Sequence, residues 1–135
     1  DAQESRGLGD VYKRQRRGQT IQLFAEGLLK RDFTYVNDTV YAIGQLIELR
    51  VAQNRLDIVN VGHSNPIQVT DFVSTLSKSL DTHPKIEYAP MQVSDVPMTC
   101  ANPSKLHSLI GKWPQTPLDA GLNQMTDWLK NWEKI

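Results

Sequence analysis

Apolar positions recur along the chain at two periods, and the alternation between them predicts short strands interleaved with amphipathic helices. Ile21–Ala25 (IQLFA) is a compact apolar run suited to a strand. After Gly27 a second extended stretch, Asp32–Val36 (DFTYV), carries aromatic and β-branched residues, and the two are expected to pair as a hairpin. Asn37 or Asp38 then caps a helix running to about Arg50, which puts Val40, Ile43 and Ile47 on one face. Leu56–Val61 reads as a strand ended by Gly62, and Thr70 caps a helix whose stripe is Phe72, Val73, Leu76 and Leu80. Ile86–Tyr88 is a short strand, and Ala89–Asn102, rich in Pro and polar residues, reads as an ordered loop. A helix from about Pro103 to Ile110 stops at Gly111. The last helix is entered through Thr116-Pro-Leu-Asp119, with Thr116 as N-cap, Pro117 in the first helical position and Asp119 completing a capping-box-like arrangement. Leu118, Leu122, Met125, Leu129 and Trp132 then recur at helical spacing, as a packing stripe does.

The pattern is therefore that of an α/β chain with short strands and about four helices. So few and such short strands are a poor base for helices that must bury a face on a sheet, which fits an incomplete domain.

The amino terminus breaks the pattern. Residues 1–15 show no apolar periodicity and are expected to be a disordered tail. Asp10–Gln15 (DVYKRQ) can also be written in codons as GAT GTG TAT AAG AGA CAG, the transposase end sequence of common sequencing libraries. That coincidence makes residues 1–15 a non-native, adapter-derived segment, with the natural sequence starting near Arg16 and continuing upstream. The alternative is an ordinary basic, Gly-containing tail.

Composition narrows the class. With 15 basic and 15 acidic residues the chain is formally neutral, so nothing favours nucleic acid or an acidic membrane as partner. A small anionic ligand needs only one or two placed cations. The single cysteine, Cys100, excludes an internal disulfide framework and reads as a packed thiol. No apolar run approaches the roughly 18 residues of a membrane helix, and no signal-peptide core is present, so a cytoplasmic protein is expected.

Catalytic constellations are missing. His63, His83 and His107 have no metal-ligand spacing. No G-x-G-x-x-G loop occurs, and the residues four positions after the tyrosines are Arg16, Thr39, Gln45 and Gln92, never Lys. Two segments can meet a polar ligand. Arg31, at the start of a strand after a Gly-containing turn, can present a planar fork to a phosphate or carboxylate, or can simply be a solvated arginine. Asp95, in the Pro-bounded loop Met91–Thr99, can accept two sugar hydroxyls or cap the next turn.

Together these segments resemble a known family. Phe24–Asp38 follows F-x-x-G-x-x-x-R-D-F-T-Y-V-x-D, which is similar to the extended short-chain dehydrogenase/reductase family, closest to its NAD-dependent UDP-glucuronate 4-epimerases. Asn60-Val-Gly-His-Ser-Asn-Pro66 resembles N-I-G-N-S-x-P, and Met91-Gln-Val-Ser-Asp95-Val-Pro-Met-Thr99 resembles M-Q-P-G-D-V-P-x-T. W-P-Q-T-P-L-D-A-G-L resembles the family's entry to its last helix.

The resemblance implies a fold and a set of roles. Residues 16–135 would be the carboxyl-terminal, substrate-binding portion of an extended Rossmann-type epimerase. Arg31 matches the arginine that grips the nucleotide diphosphate, and Asp95 the acidic residue that binds the ribose. Gln92 stands where many members place an Arg on the phosphates. Gln22, Leu23 and Phe24 match the strand bordering the nucleotide, although Phe24 fits plain core too, and core is the preferred reading of Phe33. The implied reaction takes hydride from C4 of a UDP-sugar to NAD, with a Tyr base, and returns it to the opposite face. NAD, the Tyr and its Lys would be held by the missing amino-terminal part, so this chain alone has no catalytic residues and should be inactive. The full-length enzyme would be a homodimer. Departures are Asn37 for the first Asp of a D-D pair, His63 for Asn, and Val93-Ser94 for Pro-Gly. A different sugar-nucleotide epimerase or dehydratase, or a free-standing non-catalytic binding domain, are the alternatives.

Overall fold

The structure is a computed structural model and describes residues 8–49, 57–93 and 95–132. Its centre is helix α3 (Val69–Leu80), whose Phe72, Val73 and Leu76 are buried, as the stripe predicts. They pack with Ile21 and Leu23 of strand β1 (Ile21–Phe24), with Leu122 of helix α5 (Leu118–Trp132) and with Tyr12. A fully buried side chain of this size contributes about 1.5–3 kcal/mol by leaving water, so α3 and its two neighbours carry most of the fold's cohesion.

The expected hairpin does not form. β1 pairs in parallel with β4 (Ile86–Ala89), in the register Ile21↔Ile86 to Phe24↔Ala89. The physical reason lies just after β1. Ala25 (φ 49), Glu26 (φ 55) and Gly27 (φ 75) stand consecutively in the left-handed region and turn the chain away from β1. None of the second expected strand, Asp32–Val36, is a strand; pairing occurs just before it, at β2 (Lys30–Arg31), antiparallel to β3 (Ile67–Gln68). Residues 32–35 run on as irregular chain into helix α2 (Val36–Glu48). Arg50, the expected end of that helix, lies outside the described residues, as does Leu56. Residues 57–61 form no strand, because no described strand offers them a ladder.

Five helix-level expectations also change. Neither Asn37 nor Asp38 caps α2, because the helix already begins at Val36, directly after Tyr35, and takes both residues into its first turn. α2 turns Ala42 and Leu46 inward against Leu106 and Trp113, while Val40, Ile43 and Ile47 are 60, 49 and 78% exposed. Thr70 does not cap α3: the helix begins one residue earlier, and the Thr70 methyl lies where a Cβ on Gly27 would be, 2.4 Å away. Thr116 does not cap α5 either, because its amide and hydroxyl are both donated to Asp38. Trp132 at the end of the α5 stripe is exposed and stacks on Trp128 instead of joining the core. Helix α4 (Ser104–Ile110) ends at Gly111, φ 72, as expected.

The disorder expected for the amino-terminal tail is not found in residues 8–15. Leu8–Arg16 forms helix α1, and Tyr12, 1% exposed, closes one end of the core. Gln15 is buried beside it and donates to Ser77 Oγ at 3.2 Å. An aromatic residue and Val11 on one helical face are enough to dock a single short helix on α3. Residues 1–7 lie outside the described residues.

Candidate functional site

The site grows from β2. The Lys30 amide donates to Pro97 O at 2.9 Å and the Thr99 amide donates to Lys30 O at 3.1 Å, so the Met91–Thr99 loop docks on this short strand as a second ladder. Ser94 lies outside the described residues. The docking sets Asp95 opposite Arg31. Arg31 Nη2 donates to Asp95 Oδ1 at 3.3 Å, with the two side chains 25 and 30% exposed. Arg31 Nη1 donates to Lys30 O at 2.8 Å and to Val96 O at 2.9 Å. The guanidinium is thus fixed from one side, which removes much of the entropy a free arginine would lose on meeting a ligand. Gln92 is half-buried at the turn before Asp95, and its carbonyl accepts the Asp95 amide at 3.1 Å.

The three β1 residues behave differently from one another. Gln22 points outward, Phe24 is half-buried and Leu23 is in the core, so Leu23 can border a ligand only through its backbone. No described contact joins them to Arg31 or Asp95. Of the six residues singled out from sequence, the structure brings together Arg31, Asp95 and Gln92.

Two carboxylates that sequence reasoning did not single out for this purpose hold the surroundings in place. Asp32 accepts three backbone amides: Ser64 at 3.0 Å, Asn65 at 3.3 Å and Ala101 at 2.9 Å. It joins the end of β2 to both family-like loops. Gly62 is required there, since a Cβ would stand 2.4 Å from Ala101 Cβ and 3.1 Å from Asp32 Oδ2. Asp38, 2% exposed, accepts the Thr116 amide at 2.6 Å, the Thr116 hydroxyl at 2.7 Å and a bond with His63 Nε2 at 2.9 Å. Burial pushes its carboxyl up. The Thr116 and His63 hydrogen bonds together outweigh that and hold it below the usual carboxylate range. Both aspartates sit inside the R-D-F-T-Y-V-N-D string, and an acidic residue at a helix start is the one signal in it that hinted at Asp38.

A cavity of about 990 Å³ opens next to the site, between the Asp32–Asn37 segment, α3 and α5. Its wall is apolar at Phe33, Phe72, Met125 and Trp128 and polar at His63 and Gln124. Phe33 stacks on Phe72 with centroids 4.5 Å apart, so it packs on the edge of the core, as expected, and also faces this cavity. None of the six residues singled out from sequence lines this cavity.

The described residues do not fit a dinucleotide. Among the described residues, β1 runs straight into a single 3-10 turn (Ala25–Gly27) with one glycine, and β3 into α3 through Gln68 and Val69 with none, so neither junction carries the Gly-rich turn that cradles a pyrophosphate at a helix N-terminus. Among the described residues no group of three or more His, Cys, Asp or Glu can hold a metal ion, and no helix is long and apolar enough to cross a membrane. Cys100 is exposed, not packed as expected, and lies 3.7 Å from Ser64 Oγ.

No family model matches the chain. It is 32% identical over 127 residues to a probable UDP-glucuronate 4-epimerase of Rhizobium meliloti (strain 1021), covering 82% of this chain and 37% of that protein. The solved UDP-glucuronic acid 4-epimerase of Bacillus cereus, in complex with UDP-glucuronic acid and NAD, shares the fold at a TM-score of 0.79. Its identity is 22%, over 90% of this chain and 38% of that one. The dTDP-glucose 4,6-dehydratase of Bacillus anthracis str. Ames, in complex with NAD, is similar at a TM-score of 0.74 and 21% identity, over 92 and 39% of the two chains. The chain thus spans less than two fifths of the length of these relatives, 37 to 39%.

Proposed function

We propose that this chain, which belongs to the extended short-chain dehydrogenase/reductase family of NAD-dependent epimerases and dehydratases, supplies the UDP-sugar-binding wall of a UDP-glucuronate/UDP-galacturonate-type 4-epimerase. The observation that carries the reading is the Arg31 fork, fixed by two backbone carbonyls and facing Asp95 across the docked Met91–Thr99 loop. A diphosphate takes the guanidinium in a charge-assisted, two-point contact. Asp95 accepts the ribose hydroxyls, and Gln92 adds an uncharged amide donor near the phosphates. Gln22 and Phe24 border the nucleotide by side chain and Leu23 by backbone.

The family's NAD, when bound, supplies the redox chemistry at the sugar's C4. The residues that hold it, and the Tyr and Lys that move the hydroxyl proton, lie in a part of the protein upstream of this chain, and the complete enzyme is a homodimer. What the present residues do is bind and orient the nucleotide, so that binding energy far from C4 positions the sugar.

The test is direct. The DNA upstream of the Arg16 codon should encode a Gly-rich strand–turn–helix followed by Tyr-x-x-x-Lys, and the same reading decides whether residues 1–15 are adapter-derived. The full-length protein should then interconvert UDP-glucuronate and UDP-galacturonate, followed by NMR of the product. A natural start codon in place of that upstream sequence would leave a free-standing binding domain. Formation of a 4-keto-6-deoxy sugar from a nucleotide hexose that carries a C6 hydroxyl, such as dTDP-glucose, with that hydroxyl lost as water, would instead make it a dehydratase.

A further inference from the structure

The Arg31–Asp95 contact occupies one of the two nitrogens on the guanidinium edge that a phosphate would use. Both Nη1 hydrogens are taken by the carbonyls of Lys30 and Val96, which leaves Nε and Nη2 as the open edge, and Asp95 Oδ1 sits on Nη2 at 3.3 Å. The pair sums to zero charge. Gln92 at the adjoining turn adds no cation, and strand alternation puts Lys30 on the opposite face from Arg31. A bare phosphate or pyrophosphate approaching this edge must compete with Asp95 for Nη2, and on displacing it leaves that part-exposed carboxylate to water alone beside a second anion. A nucleoside diphosphate does not meet this obstacle, because its ribose carries two hydroxyl donors that take over the displaced carboxylate.

We propose that Asp95 makes the site selective for nucleoside diphosphates over bare anions: it neutralises Arg31 in the empty site and releases it only to a ligand that brings a diphosphate and a ribose diol together. The inference rests on the reading of Arg31 and Asp95 as the nucleotide grip. Discrimination then comes from an element that repels the wrong ligand as well as from contacts to the right one. No covalent step is involved. The exchange is one hydrogen-bonded ion pair for two ligand contacts.

The test compares UDP and inorganic pyrophosphate by calorimetry on the full-length, NAD-loaded protein, its Asp95→Asn variant and, as a second check on folding, Asp95→Ser. Loss of a partly exposed ion pair changes an equilibrium by about 1.4- to fivefold. Pyrophosphate should therefore bind about 1.4- to fivefold more tightly to both variants than to the parent, while UDP gains nothing, so that the preference for UDP falls by that factor. UDP binding that depends on Arg31, with pyrophosphate affinity unchanged or weakened in both variants, would overturn the selectivity and leave the nucleotide grip standing. A parent protein that does not bind UDP at all would overturn both.

Discussion

Asp38 shows how much a single side chain can hold. Its carboxylate ties the start of α2 to the start of α5 through Thr116 and to the 60–66 loop through His63, whose ring also meets Trp113 edge-on at 5.9 Å. Replacing it by Asn keeps the size but loses the charge and part of the acceptor capacity. Asp38→Asn should cost about 1–3 kcal/mol at neutral pH, measured by urea unfolding of the full-length protein. The pH dependence has a definite sign. The folded carboxyl titrates below its ordinary value, so its stabilisation is fully present above an unfolded pKa of about 3.9 and fades as pH falls through the lower folded value. Acid unfolding of the parent should steepen below about pH 4, and the variant should lose part of that slope; an unchanged slope would show that Asp38 is not ionised in the fold. Gly62 offers a steric counterpart. Gly62→Ala drives a methyl against Ala101 and the Asp32 carboxylate, and should destabilise by about 1–3 kcal/mol in the same measurement.

At the scale of elements, α2 carries the clearest consequence. Val36, Val40, Ile43 and Ile47 form an exposed apolar stripe, and beside this helix residues 57–61 have no strand partner among the described residues. On the proposed reading, both are surfaces that the remainder of a longer protein covers. Ile43→Ser with Ile47→Ser should therefore cost about 2–4 kcal/mol in the full-length protein. The same double substitution should be close to neutral in this chain alone, where both residues already face water; equal effects in the two would mean that nothing covers the stripe. These elements also mark what the sequence could and could not disclose. Periodicity located α3 and α4 within a residue or so and identified the α3 stripe, because α3 has its partners within the chain. It found an apolar face on α2 correctly but not its direction, since a period shows that a face exists and not what lies against it. The β1 partner was missed because parallel pairing joins distant segments, and three consecutive left-handed residues defeat a local hairpin. Motif spacing singles out Arg31 and Asp95 as candidates, while the loop docking that brings them together depends on backbone bonds from Lys30 that no residue pattern announces.

Across the whole molecule, the proposed function makes the chain one wall of a cleft. Among the described residues 16 large apolar side chains are exposed, and those on α2 form a contiguous face of the kind that marks an interaction surface. The isolated chain should accordingly bind a hydrophobic dye, melt without a sharp cooperative transition and show no NAD-dependent turnover. A steep two-state melt would count against the fragment reading. The nucleotide grip itself is tested most directly by isothermal titration of UDP into the full-length protein and its Arg31→Ala variant. A grip on the diphosphate predicts a loss of about 1.5–3 kcal/mol of binding free energy, the scale of charge-assisted hydrogen bonds. Equal affinity of the two proteins for UDP would contradict it.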